Sequence, residues 1–240
     1  MLWQRIKHGL SVLRHQSHRF FRRRREPLTY VALGDSTVEG VGASDTSRAY
    51  TNLIYADLLR QYKHVIYHNF GKRGARVHDV VETQLNRAIE TRPTLITLSI
   101  GANDALHQTS LKRFRADMHH LLAALHDQTR AVIVMTNVPD FSFAPRIPAP
   151  LKPVIRLRIG QYNSIIAAIA REIGITLVDT FKESGLIAQR FPHAVSNDHF
   201  HPSDFGYTLW AHTMLTVIDE HMHDTYPRSW WRRGRKARGD

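Results

Sequence analysis

Ser36, Gly74, Asn103, Asp198 and His201 are spread across most of this chain, yet their types add up to one chemistry. They lie in four short motifs: Gly34-Asp35-Ser36, Asn69-Phe70-Gly71-Lys72-Arg73-Gly74, Gly101-Ala102-Asn103-Asp104 and Asp198-His199-Phe200-His201. A serine hydroxyl is a nucleophile once a base takes its proton. A glycine without a Cβ lets a substrate oxygen approach its N–H, and an asparagine amide donates without a titratable charge. An aspartate three residues from a histidine can accept the Nδ1 proton and leave Nε2 facing the serine. Together these are the parts for acyl transfer through a covalent serine intermediate.

Each residue alone has an ordinary explanation. Ser36 could be a turn or N-cap serine, a loop glycine such as Gly74 is commonly a turn former, and Asn103 suits a structural turn. His201 is one of sixteen histidines. The order of the motifs and their places in the chain carry the argument. Leu28–Leu33, Val65–Phe70 and Thr94–Ile100 are short apolar runs of the kind that form buried parallel strands. Ser36, Gly74 and Asn103 each follow one of them. Ala131–Thr136 and Ile175–Val178 read as two further strands. Helical periodicity fills Ala49–Gln61, Val77–Glu90, Leu111–His126, Ile155–Ile173 and Phe205–Met222.

Strands alternating with helices imply an α/β chain with a parallel sheet of about five strands, covered on both faces. Ligands of such sheets bind beyond the carboxyl ends of the strands. Pro139, Pro145, Pro148, Pro150 and Pro153 punctuate residues 138–152, which are therefore expected to form an extended loop over one end of the sheet. Phe141, Phe143, Ile147 and Leu151 could make that loop the wall of an acyl pocket. Simple packing of these side chains onto the sheet edge is the plainer alternative.

Other chemistries fit less well. The chain has no cysteine, which removes disulfides, thiolate zinc sites and cysteine nucleophiles. Lys72 and Arg73 lack the spacing of a phosphate-binding loop, and there is no Gly-x-Ser-x-Gly elbow. His199-x-His201 and His221-x-His223 lack the supporting carboxylates of a metal site. No metal is expected, and the acyl-transfer chemistry needs no cofactor.

The net charge of +12 is unevenly placed. Residues 1–26 carry +7 and residues 224–240 carry +4, leaving +1 for the body between them. Three regions follow: a basic N-terminal extension over 1–26, a hydrolase-like domain over 27–223 and a basic tail over 224–240. The near-neutral body argues against nucleic-acid binding by the fold. Leu2, Ile6, Leu10 and Leu13 recur at helical spacing among cations, a pattern suited to an anionic membrane surface. Trp230, Trp231, Arg232 and Arg233 repeat that chemistry, so peripheral contact is expected through residues 1–25 and 228–238. Solvated extensions are the bland alternative. No apolar run reaches the roughly 18 residues of a membrane span, and no secretory apolar core is evident. A cytoplasmic chain able to lie at a membrane surface is the resulting expectation.

The four motifs resemble the blocks of the SGNH hydrolases, also called the GDSL esterase/lipase superfamily. Gly34-Asp35-Ser36-Thr37-Val38-Glu39-Gly40 is similar to the block holding the nucleophile. Gly74 stands where that family has its glycine oxyanion donor, and Gly101-x-Asn103-Asp104 resembles the block with the asparagine donor. Asp198-x-x-His201-Pro202 resembles the block with acid and base, with Phe200 departing from the smaller residue common there. The resemblance spans roughly 28–222. It implies a flavodoxin-like three-layer α/β/α sandwich, a triad of Ser36, Asp198 and His201, and an oxyanion hole of Ser36, Gly74 and Asn103. Phe141, Phe143 and Ile147 are the candidate substrate contacts. Expected substrates are carboxylic esters with short or medium acyl chains, or lysophospholipids. A carbohydrate O-acetyl esterase is the alternative within the same chemistry, and an inactive membrane-surface adaptor is the alternative outside it.

Overall fold

A computed structural model describes residues 27–225, so the two basic terminal segments expected at membranes fall outside the described residues, apart from Asp224 and Thr225. In chain order the main elements are β1 (Leu28–Gly34), α1 (Ser36–Glu39), α2 (Tyr50–Gln61) and β2 (Val65–Asn69). A segmented helix α3 follows as Val77–Val80, a π-helical turn over Val81–Leu85, and Asn86–Glu90. Then come β3 (Leu95–Ser99), α4 (Ala102–Leu106), α5 (Leu111–Gln128) and β4 (Val132–Thr136). The chain continues with α6 (Lys152–Ile173), β5 (Thr176–Val178), α7 (Phe181–Arg190) and α8 (Asp204–Thr225).

The five strands pair in parallel in the order β2-β1-β3-β4-β5. That is the flavodoxin-like order, with its reversal between β1 and β3. Alternation along β1 explains the layers. Tyr30 and Ala32 face one side, where they pack with Tyr50, Ile54 and Leu58 of α2 and Met214 and Ile218 of α8. Val31 and Leu33 face the other, against the buried stripes of α3, α5 and α6, including Phe114, Met118 and Ile166. Successive side chains on a strand point to opposite faces, so a strand apolar throughout needs helices on both. The polar Tyr30 hydroxyl and Thr97 Oγ1 satisfy each other at 2.9 Å within the core.

Three local readings change. The helix expected without interruption over 77–90 contains the π-turn, which brings Gln84 inside to 2 % exposure. The proline-rich stretch is not simply extended, since it forms two 3₁₀ turns, Phe141–Phe143 and Ala149–Leu151. Asp140 caps the first by accepting the Ser142 N–H at 3.1 Å. Pro150 and Pro153 sit at the starts of helical turns, where a missing N–H costs nothing. For that reason α6 begins at Lys152 rather than Ile155. Helix α7 was not expected at all. Among the described residues, no helix is long and apolar enough to cross a membrane.

Candidate active site

Because β1 and β3 are paired neighbours, with Gly34 beside Ser99, the segments that follow them emerge side by side at one edge of the sheet. Ser36 opens α1 immediately after β1, and Asn103 lies in the first turn of α4 immediately after β3. The loop after β2 brings Gly74 to the same cleft.

The turn into α1 is tightly specified. Gly34 has φ +143°, and a Cβ there would lie 1.9 Å from the Ser99 carbonyl oxygen. The Gln84 amide holds the same residue, accepting the Gly34 N–H at Oε1 and donating from Nε2 to its carbonyl, each at 2.9 Å. Asp35 caps α1 by accepting the Thr37 N–H at 3.0 Å and its hydroxyl at 2.9 Å. Burial pushes the Asp35 carboxyl up to about 6, against the opposing pull of the Thr37 hydrogen bonds.

His201 reaches this serine from the loop before α8. Its Nε2 is 2.9 Å from Ser36 Oγ, and its Nδ1 is 2.5 Å from Asp198 Oδ2. The other oxygen of Asp198 accepts the backbone N–H groups of Phe200 and His201 at 2.9 Å and the Ser196 hydroxyl at 2.7 Å. Partial burial alone would raise Asp198, but the hydrogen bonds from His201, Ser196 and Phe200 prevail and hold it well below the usual carboxylate range. The carboxylate therefore stays charged beside the imidazole. Ser203 steadies the exit of the loop, its Oγ accepting the Gly206 N–H at 3.3 Å.

On the other side of Ser36, Gly74 has φ +79°, and a Cβ added there would meet nothing within 4 Å. Its glycine is needed for the left-handed backbone, and the space above it is open. Asn103 Nδ2 donates one hydrogen to the Ala75 carbonyl at 3.0 Å. This bond orients the amide and leaves its second N–H free to serve another acceptor. Asp104 accepts the Val77 N–H at 3.0 Å, tying α4 to the start of α3 just beyond Gly74. Glu39 accepts the Arg73 N–H at 2.5 Å, so α1 also grips this loop.

Ser36, Gly74, Asn103 and His201 line a cleft of about 500 Å³. Phe141 and Ile147 form part of its wall, as the sequence suggested, and Ala144, Ile187 and Leu209 add apolar surface that sequence reasoning missed. Phe143 does not line it. The 3₁₀ turn carries that ring away, against Gly185 and beneath the Arg156 guanidinium at 5.5 Å. Leu151 is half exposed and also outside the cleft. Phe200, the odd residue of its motif, lies in the wall between Phe141 and the imidazole, with ring centroids 5.6 and 5.1 Å away. Among the described residues no cluster of His, Asp or Glu could hold a metal ion.

A hydroxyl, an imidazole and a carboxylate in one hydrogen-bonded chain, at the carboxyl edge of a 2-1-3-4-5 sheet, define the arrangement of an α/β serine hydrolase. The chain belongs to the GDSL-like lipase/acylhydrolase family, whose sequence pattern matches residues 32–209, and it is a hydrolase of ester bonds. No curated protein is significantly similar in sequence. Solved structures share the fold at low identity. LAE5, an α/β hydrolase enzyme from the metagenome of Lake Arreo in Spain, superimposes with a TM-score of 0.64 at 21% identity, covering 79% of this chain and 94% of its own. The acetylxylan esterase Axe2 from Geobacillus stearothermophilus gives 0.64 at 20% identity, over 82% and 95% of the two chains. A lipase/acylhydrolase from Enterococcus faecalis gives 0.63 at 19%, over 81% and 96%.

Proposed function

We propose that this protein is a serine esterase that cleaves carboxylic esters of short or medium acyl chains, lysophospholipids among them. The observation that carries the reading is the Ser36–His201–Asp198 hydrogen-bonded chain opening onto a cleft walled by Phe141, Ile147 and Ile187. His201 takes the Ser36 proton as Oγ attacks the ester carbonyl. The oxyanion is held by the Ser36 and Gly74 backbone N–H groups and the free N–H of Asn103. His201 then returns its proton to the leaving alcohol, and water attacks the acyl-enzyme by the same route. Asp198 fixes the tautomer and stabilises the imidazolium.

The test is covalent labelling with a fluorophosphonate together with turnover of activated esters of graded chain length. Wild type should label and hydrolyse, and Ser36→Ala should do neither. Full activity in Ser36→Ala would overturn the mechanism. An unlabelled, inactive but folded wild type would favour a membrane-surface adaptor instead.

A second reading has one observation in its favour. Axe2, which shares the fold, is an acetylxylan esterase, so acetylated carbohydrate is the competing substrate class. An acetyl group would leave most of the apolar cleft unfilled, which favours the longer acyl chain. Acetylated xylooligosaccharides turned over faster than medium-chain esters would reverse that preference. Peripheral membrane contact through residues 1–25 and 228–238 belongs to the same proposal, supported by their basic and aromatic composition.

A further inference from the structure

Beyond the cleft, the segment leading into α6 presents apolar side chains that no described residue covers. Leu151, Val154 and Leu157 follow one another at three-residue intervals across the last 3₁₀ turn and the start of α6, and are 50, 52 and 70% exposed. Isolated exposed leucines are ordinary, but a run of this exposure on one stripe is not. Leu157 and Phe181 border one shallow groove, which joins this stripe to α7. There Leu186, 55% exposed, sits midway between Lys182 and Arg190 at four-residue spacing.

Cations frame the leucines. Arg146 and Lys152 lie in the same segment of the chain, and Arg146 is exposed and also lines the cleft. Lys182 is 83% exposed and reaches Asp179 only at 3.9 Å. Glu183, the acid within α7, lines the cleft instead. Protruding aliphatic side chains with long cationic stems beside them match the chemistry of an anionic bilayer surface, where the leucines enter the acyl boundary and the cations meet headgroups. Lysine, unlike arginine, is depleted in protein interfaces, so Lys152 and Lys182 in particular favour the bilayer over a protein partner.

We infer that residues 145–157 and the outer face of α7 form a docking surface for anionic lipid bilayers, placing the cleft mouth against the membrane. The inference extends the esterase reading to substrates held in a bilayer. It is separable from that reading, because turnover of a soluble ester tests the cleft alone.

The absence of cysteine allows a single reporter. Leu157→Cys carrying a nitrobenzoxadiazole label should brighten and shift to the blue with vesicles of phosphatidylcholine containing phosphatidylglycerol. It should respond little to phosphatidylcholine alone, and the anionic response should weaken in about 1 M salt. The same label at Lys63→Cys, an exposed site beside the amino end of β2, should stay silent. The combined Leu151→Ser, Val154→Ser and Leu157→Ser variant should lose roughly tenfold in vesicle partitioning with soluble-ester turnover unchanged.

A silent label at 157 on vesicle-bound protein would overturn the inference, leaving the terminal segments as the anchor. Failure of the protein to bind anionic vesicles, or equal responses at 157 and 63, would do so too. A label already blue-shifted without lipid would show the face covered by the chain's own terminal segment. A lipid-free shift that grows with protein concentration would assign it to a second copy of the chain. Either result would also overturn the inference.

Discussion

Gln84 and Gly34 are fifty residues apart in sequence and close a two-way amide clamp, each bond 2.9 Å long, just before the proposed nucleophile. The clamp satisfies the Gly34 N–H as the chain turns into α1, and adds a second donor to a carbonyl that also accepts the Lys72 N–H at 3.1 Å. A π-turn inside α3 delivers it, in keeping with the frequency of such bulges at functional sites. Replacing Gln84 with leucine leaves the buried Gly34 N–H unpaired and its carbonyl with only the Lys72 N–H at 3.1 Å, and should destabilise the fold by about 1–3 kcal/mol. Urea denaturation gives that figure. In the fraction that folds, kcat should fall more than KM rises, because the clamp positions Ser36 rather than substrate.

Asn103 provides a cleaner separation of chemistry from stability. Asn103→Ala should lower kcat by about 10²–10³ with little change in KM, the loss expected for one oxyanion donor. Steady-state kinetics on a soluble ester decide it. An unchanged kcat would remove Asn103 from the oxyanion hole.

Two glycines should respond differently to the same added methyl group. Gly34→Ala drives a Cβ to 1.9 Å from the Ser99 carbonyl oxygen and should cost more than about 4 kcal/mol, enough to prevent recovery of folded protein. Gly74→Ala meets no neighbour, so it should cost only the left-handed backbone penalty of about 1–2 kcal/mol. The folded Gly74→Ala protein should nonetheless be impaired, its methyl occupying the approach to the N–H. Thermal melts and kcat/KM on the two variants test the contrast.

Stability should depend on pH through Asp35 and Asp198 in opposite directions. The folded Asp35 carboxyl, at about 6, lies above its unfolded value, so the folded state binds the proton more tightly. Its contribution is fully present below about pH 4 and is lost as pH rises through 6, about 3 kcal/mol in all. Asp35→Asn should remove this slope while keeping an acceptor for the Thr37 N–H, gaining relative to wild type between pH 4 and 7. Asp198 is shifted downward, so its contribution is present above about pH 4 and is lost only as pH falls further. Urea midpoints measured across roughly pH 2–8 for wild type and Asp35→Asn isolate the Asp35 window, and a fall that persists in the variant at the acid end has the direction expected of Asp198.

The sheet and the five motif residues were legible because both leave local marks. Apolar runs such as Val31-Ala32-Leu33 report burial on two faces, and glycines at their ends mark turns. Groups that act across long sequence distances left none. Helix α7 starts where Asn137 accepts the N–H groups of Thr180 and Phe181 at 2.8 and 3.0 Å, a cap supplied from more than forty residues away. Gln84 and Asp104 act in the same manner, and neither differs in sequence from a surface polar residue. Phe141 and Phe143 show the finer limit. Two residues apart on a 3₁₀ turn, they face different neighbours, and only the backbone geometry tells which one lines the cleft.

The hydrogen bond from Ser36 to His201 spans 165 residues. Closing so long a loop gives no local reward until the intervening strands have docked. A chain still emerging from the ribosome therefore holds Ser36 from the first strand onward without the imidazole that the proposed mechanism pairs with it. On the proposed mechanism ester cleavage switches on only once residue 201 is made and its loop seated, so fragments ending earlier should be inert toward esters.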